Sequence, residues 1–195
     1  MKSLALFDFD GTLTIKDSFL EILKYHRGNS GFWAKMFLLS PILIAFKLGF
    51  FPNFKAKEKV FKSFFGGMNQ ADFQELCDSF ANHQLPKIIR EEAIKKLRFH
   101  QQEGHRVIVV SASAENWLSL WCMQHGVELL GTRLEVINEK ITGQIDGKNC
   151  HGPEKVNRIR DFLDPSEYES IYAYGDSSGD KEMLEFATDP FYRKF

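Results

Sequence analysis

Cysteine is scarce in this chain, and neither sign of charge is in excess. The three cysteines, Cys77, Cys122 and Cys150, are widely spaced and form no CxxC pair. That pattern excludes a zinc ribbon and a disulfide framework, and free thiols point to a reducing compartment, the cytoplasm. Lys and Arg number 25 against 26 Asp and Glu, for a net charge of -1. No Lys/Arg-rich run breaks that balance, so no nucleic-acid partner is implied. The N-terminal apolar run is too short for a signal peptide: Asp8 and Asp10 interrupt it, and no cleavage site follows. Internal repeats and low-complexity tracts are absent. The histidines do not converge, since His100, His105, His125 and His151 fall at expected helix ends or loops without ligand-like spacing.

One apolar stretch stands out, residues 32–51, reading FWAKMFLLSPILIAFKLGFF. Lys35 and Lys47 bracket its uncharged part, which is shorter than the ~20 residues a spanning helix needs. Pro41 is expected to break it. The favoured reading is a buried or substrate-facing helix. A membrane-surface contact is the lesser reading, suggested by lysines flanking an apolar run.

With 195 residues, the chain has room for a core domain and a small inserted one. Three short apolar runs read as strands buried on both faces: Leu4 to Phe9, Arg106 to Ser111 and Ile171 to Gly175. Helical patterns accompany them. Leu85 to Gln102 has Ile88, Ile89, Ala93 and Leu97 on one face, and Gly104 ends it. Pro153 to Leu163 has Val156, Ile159, Phe162 and Leu163 on one face, with Pro153 suited to the first helical position. Alternating strands and helices predict an α/β fold with a doubly wound parallel sheet. The Phe-rich segment from Lys16 to about Gln84 breaks the alternation and reads as an inserted helical lid. Residues 133–147 alternate like a hairpin that turns near Asn138-Glu139-Lys140. Trp117 and Trp121, four apart, suit a packed helix face, and residues 191–195 suit an edge strand.

Each predicted strand ends in polar residues, where an open α/β sheet binds its ligands. Asp8 and Asp10, two apart on extended chain, can face one pocket, and their repulsion implies a hard cation such as Mg²⁺. The same residues also suit a plain turn. Ser111-Ala112-Ser113 offers a hydroxyl and amides to phosphate oxygens, or simply a helix cap. Lys155, near a helix N-terminus, sits where a cation is disfavoured by ~0.3–1 kcal/mol, which hints at a bound anion. Asp176 and Asp180 follow the third strand. Asp176 can complete a metal site, and Asp180 can join it, orient Lys155 or cap a helix.

Taken in order, DFDGTLT, VVSAS, GPEKVNRI and GDSSGD resemble the four sequential motifs of the haloacid dehalogenase superfamily, most of all its phosphoserine-phosphatase-like branch. The resemblance covers nearly the whole chain. It implies a Rossmann-like core of residues 1–15 and 86–195 and a helical cap of residues 16–85. It implies Asp8 as nucleophile and Asp10 as general acid/base, with the Asp10 backbone carbonyl on the metal. Ser111 would hold a phosphoryl oxygen, and Lys155 would offset charge around the nucleophile. The implied metal set for Mg²⁺ is Asp8, Asp10 and Asp176, with Asp180 beside it as a further ligand or as the partner of Lys155. The implied substrate-binding set is Asp17, Ser111, Ala112, Lys155 and Gly179. The substrate would be a small phosphorylated metabolite, phosphoserine among the candidates. Asp10 favours phosphoryl transfer within the superfamily, because a halide leaving group needs no proton.

Four departures qualify phosphoserine. Asp17 stands where that branch carries glutamate, Ser-Ala-Ser replaces Ser-Gly-Gly, and Gly179 replaces a frequent asparagine. No cap arginine is evident, though Lys55, Lys57 and Lys59 offer cations. The alternatives are a lipid phosphatase of the phosphatidylglycerophosphate type at a membrane surface, transfer to a second acceptor, or a non-catalytic binding module. The last would be expected to have lost Asp8, Asp10, Lys155 or Asp176, all of which are present.

Overall fold

A computed structural model describes residues 2–50 and 52–195 of the chain. Met1 and Phe51, the first residue of the expected core and the last of the apolar stretch, lie outside the described residues. The sheet forms because short apolar segments place alternate side chains on opposite faces. In β1 (Ser3–Phe7), Leu4 and Leu6 point into one buried cluster, while Ala5 and Phe7 point into another. β2 (Arg106–Ala114) and β5 (Ser170–Gly175) flank β1, both parallel to it. β6 (Asp189–Tyr192) adds a parallel edge beyond β5. β3 (Glu128–Ile137) lies parallel to β2, and β4 (Lys140–Asp146) returns antiparallel to β3. The order is β4-β3-β2-β1-β5-β6. The chain therefore winds outward in both directions from β1, and the crevice at the carboxyl ends of β1, β2 and β5 is the switch point that suits a ligand. The β3–β4 turn uses Asn138 and Glu139 at φ 50 and 58, the left-handed pair a two-residue hairpin turn needs.

Helices cover both faces. α4 (Glu91–Gln102) and α5 (Glu115–Gln124) pack Leu97, Trp117 and Trp121 against one side. α6 (Pro153–Phe162) and α7 (Lys181–Phe186) pack Ile159, Met183 and Leu184 against the other. Between β1 and β2 come three more helices, α1 (Ser18–Lys47), α2 (Asn53–Phe65) and α3 (Gln70–His83). Phe61, Phe64, Phe65, Phe73 and Phe80 bury their rings among them.

Two expectations about helices fail, for local reasons. Residues 85–102 do not form one helix: a short 3-10 turn (Leu85–Lys87) precedes α4, and the chain leaves the helical path between them, with Arg90 extended. Ile88 and Arg90 are tied to the segment from Leu13 to Ile15 instead. Ile15 N donates to Ile88 O at 2.8 Å, and Arg90 N donates to Leu13 O at 2.8 Å. These bonds join the segment that leads into α1 to the segment that follows α3. Nor does Pro41 break the apolar helix. It costs α1 one amide donor and is carried within it, while the helical path is interrupted at Gly28, with φ 66 and ψ 170.

Candidate active site

The tight turn after β1 builds the first half of the site. Asp8 N donates to Tyr174 O at 2.9 Å, which extends the strand pairing by one residue and aims the Asp8 side chain out of the sheet end. Gly11 then turns the chain at φ 86. A Cβ on Gly11 would come within 2.3 Å of Asp176 Oδ2, so this position must be bare for the two loops to meet.

Lys155 is the buried centre. From the first turn of α6 its Nζ donates to Asp8 Oδ1 at 2.6 Å, to Asp180 Oδ1 at 2.6 Å and to Val110 O at 2.7 Å. All three ammonium donors are used. Burial opposes the charge on Lys155, but Asp8 and Asp180 outweigh it and hold its pKa above the ordinary lysine value. Burial also works against Asp180, yet Lys155 and the Ser177 donors keep its pKa below the usual carboxylate value. Asp8 is different. Burial pushes it up to about 7, with Asp180 and Asp10 adding repulsion and Lys155 pulling the other way. A cation beside Asp8 would oppose that rise.

The acids separate by their hydrogen bonds. Asp180 is saturated: Oδ1 takes Lys155, and Oδ2 accepts from Asp176 N, Ser177 N and Ser177 Oγ at 3.2, 3.0 and 2.8 Å. Its place is to orient Lys155 and cap the short turn (Ser178–Asp180). Asp176 is the reverse case, for its Oδ1 is buried without a hydrogen-bond partner. Carboxylate oxygens of Asp8, Asp176 and Asp180 lie within 4.8 Å of one another. An orphaned buried carboxylate oxygen facing a second carboxylate fits a hard divalent cation held by oxygens.

Asp10 is held by a chain of donors that the sequence reading missed. Ser18 N donates to Asp10 Oδ1 at 2.6 Å, and Ser113 Oγ donates to Oδ2 at 2.5 Å. Ser18 Oγ lies 3.1 Å from Ser113 Oγ, and Trp117 Nε1 donates to Ser18 Oγ at 3.2 Å. Trp117 therefore combines packing with a polar link to Asp10.

A cavity of about 510 Å³ opens over these groups. Asp8, Asp10, Asp17, Ala112, Lys155, Asp176 and Gly179 all line it. Ser111 does not. It is buried beneath, accepting from Ser113 N at 3.0 Å, while Ser113 lines the cavity. Asp17 caps α1, accepting from Leu20 N at 3.0 Å. Of the three candidate cations of α2, Lys57 lines the cavity, donating to Ala112 O at 2.6 Å. Burial lowers its pKa, against the pull of Asp10 and Asp17. His151 also lines the cavity, contrary to the expectation that no histidine converges on the site. Its ring fills the space beside Gly179, where a Cβ would meet Nε2 at 2.5 Å. Its neighbourhood in sequence to Gly152, Pro153 and Lys155 was the available signal.

This constellation on this sheet defines a hydrolase of the haloacid dehalogenase type. The chain belongs to the haloacid dehalogenase-like hydrolase family, which it matches over residues 5–185. It is 36% identical to protein CicA of Caulobacter vibrioides, an alignment covering 98% of this chain and 86% of that protein. Among solved structures, it resembles a protein of unknown function from Bordetella pertussis Tohama I. That match has a TM-score of 0.84 at 23% identity and covers 97% of this chain and 89% of the other. It also shares its fold with a phospho-aspartyl intermediate analogue of phosphoserine phosphatase, at a TM-score of 0.67 and 19% identity, covering 95% and 83% of the two chains.

Proposed function

We propose that the protein is a Mg²⁺-dependent phosphomonoester hydrolase that works through a phospho-aspartate on Asp8. The observation that carries this reading is Lys155 locked between Asp8 and Asp180 at 2.6 Å each, beside the unpartnered Oδ1 of Asp176. Asp8 Oδ1 is taken by Lys155, and among the described residues no side-chain donor is bonded to its second oxygen. That second oxygen is the attacking atom. It forms the bond to phosphorus as the bond from phosphorus to the leaving oxygen breaks. Asp10 delivers its proton to that leaving oxygen. When Asp10 carries the proton on Oδ2, the Ser113 hydroxyl turns to accept, which a hydroxyl can do. A water then attacks the phosphorus of the acyl phosphate and gives its proton to Asp10, and phosphate leaves as Asp8 regains its carboxylate. Asp8, Asp176 and the Asp10 carbonyl would hold Mg²⁺. Its chemistry is to offset repulsion between carboxylate and phosphoryl dianion. In this reading the segment of residues 16–85 serves as the cap over the core of residues 1–15 and 86–195. Three buried free cysteines suit the cytoplasm.

For the leaving group, Lys57 and Asp17 offer one charge of each sign, as a small zwitterionic metabolite such as phosphoserine requires. A second reading has its own support. Ile15, Phe19, Leu43, Phe46 and Val60 form an apolar wall that suits an amphiphilic phosphomonoester, a lipid phosphate included. The test is hydrolysis of an aryl phosphate with and without Mg²⁺, wild type against Asp8→Asn. Mg²⁺-dependent turnover that Asp8→Asn abolishes is expected. Equal turnover in the variant contradicts the proposal.

A further inference from the structure

The outer face of α1 beyond Gly28 inverts the usual pattern of a surface helix. Trp33, Phe37, Leu38, Ile44 and Leu48 are 66, 78, 76, 58 and 67% exposed. Ala34 and Pro41 are exposed between them, so the outward stripe holds no charged group from Trp33 to Ile44. Phe50, 76% exposed, continues it past the helix end. The inner face is apolar as well, with Phe32, Met36, Leu39 and Leu43 packed on the core. A helix apolar all round belongs in a protein core or in lipid, and a contiguous apolar patch of this kind marks an interaction surface. Among the described residues, α1 is the helix long and apolar enough to cross a membrane.

Charge and placement identify the occupant. From Ile22 to Lys57 there is no Asp or Glu, but there are six cations, Lys24, Arg27, Lys35, Lys47, Lys55 and Lys57. The chain as a whole carries -1, so the rest is net acidic. Arg27 and Lys47 are exposed in α1 on either side of the apolar stretch in sequence, and Lys55 is exposed in α2. An apolar face carrying a tryptophan and flanked along the chain by cations matches the interface of an anionic bilayer. In a two-fold contact with a second copy, those cations would meet their own kind. Lying flat is the geometry the packing allows. Lys35, the one charge within residues 29–46, points inward, donating to Ser63 O with its ammonium 5.2 Å from the Phe64 ring centroid, and Phe32 is 3% exposed. Spanning the bilayer would strip these contacts.

We propose that this outer face of α1 docks the protein on an anionic membrane surface, lying in the plane of the headgroups. Leu43 and Phe46 of the same helix wall the active-site cavity, so docking sets the cavity mouth at the lipid boundary. The proposal stands apart from the hydrolytic reading and can fail separately from it.

The test is flotation of the full chain with phosphatidylcholine vesicles, with and without phosphatidylglycerol, at low and high salt. Trp33 fluorescence is recorded alongside, as Trp117 and Trp121 are buried. The variant is Phe37→Glu with Leu38→Glu, both outside the cavity lining. The expected results are salt-sensitive binding to the anionic vesicles, a blue shift on binding, and at least about tenfold weaker binding by the variant. Hydrolysis of a soluble aryl phosphate is expected to be unchanged in the variant, which reports that it is folded. Three outcomes overturn the proposal. The first is wild type that never floats with anionic vesicles. The second is a variant that floats equally well. The third is a wild-type dimer, without vesicle binding, that the variant dissociates. Absence of aryl phosphate turnover alongside intact vesicle binding would count against the hydrolytic reading alone.

Discussion

Replacing Lys155 with methionine keeps the length of the side chain and removes its charge and all three hydrogen bonds. Asp180, 1% exposed, is then left as a buried carboxylate without a counter-charge, while Asp8, whose pKa burial already pushes up to about 7 against the pull of Lys155, takes up a proton at neutral pH. Val110 O loses its donor as well. Removing one partner of a buried ion pair costs ~3–5 kcal/mol, because an uncompensated charge remains in a medium that solvates it poorly. Orphaning the carbonyl adds ~1–3 kcal/mol. Domains of this size are stable by ~5–15 kcal/mol, so Lys155→Met stands to lose about a quarter or more of the total. The double variant Lys155→Met, Asp180→Asn removes that stranded charge. It is expected to be more stable than Lys155→Met alone by ~1–3 kcal/mol, a coupling that only interacting residues show. Urea unfolding of wild type, Lys155→Met, Asp180→Asn and the double variant at neutral pH without divalent cation reads this directly. Additive losses, or a loss below about 1 kcal/mol for Lys155→Met, would refute the buried three-way contact.

Other parts of the site and core make separate predictions. Gly11→Ala and Gly104→Ala both put a side chain at positive φ, 86 and 73, which costs ~1–2 kcal/mol. Only at Gly11 does the new Cβ strike Asp176, so only Gly11→Ala is expected to raise the Mg²⁺ needed for half-maximal activity, by roughly tenfold or more. His100 is fully buried, bonded to Tyr174 OH at 2.9 Å and to His105 Nδ1 at 2.8 Å. Burial, with Lys96 and His105, lowers its pKa to about 4. The unfolded chain therefore binds more protons between about pH 6.5 and 4, and stability falls as pH drops through that window, by ~2–3 kcal/mol in all. Unfolding midpoints of His100→Gln are expected to be flatter over that range. Equal slopes for variant and wild type would contradict the assignment.

Much of the site was legible because it depends on residues at strand ends. Apolar runs set β1, β2 and β5, and Asp8, Asp10, Lys155 and Asp176 follow from where those runs stop or from their order along the chain. What escaped was decided by distant partners. Ile88 and Ile89 continue a helical pattern, yet hydrogen bonds to a segment more than seventy residues earlier hold the chain off the helical path there. Ser111, assigned from the resemblance, and Ser113 share a face by alternation, yet Ser113 lines the cavity and Ser111 lies beneath it, where the β2–β3 register shifts between Val110 and Ala114. His151 looked like any loop histidine until the missing side chain of Gly179 made room for its ring. The apolar stretch of α1 was visible, with membrane-surface contact as its lesser reading, but composition alone does not say which face packs, so burial was favoured for side chains that the structure leaves outward.

The central claim is that Asp8 carries the phosphoryl group, and rapid acid quenching tests it most directly. The protein would be mixed with Mg²⁺ and a radiolabelled phosphomonoester, quenched during turnover and digested. The account predicts label on the peptide containing Asp8, released by hydroxylamine as an acyl phosphate is, and absent from Asp8→Asn. Turnover with no label on Asp8, matched by undiminished hydrolysis in Asp8→Asn, would contradict it.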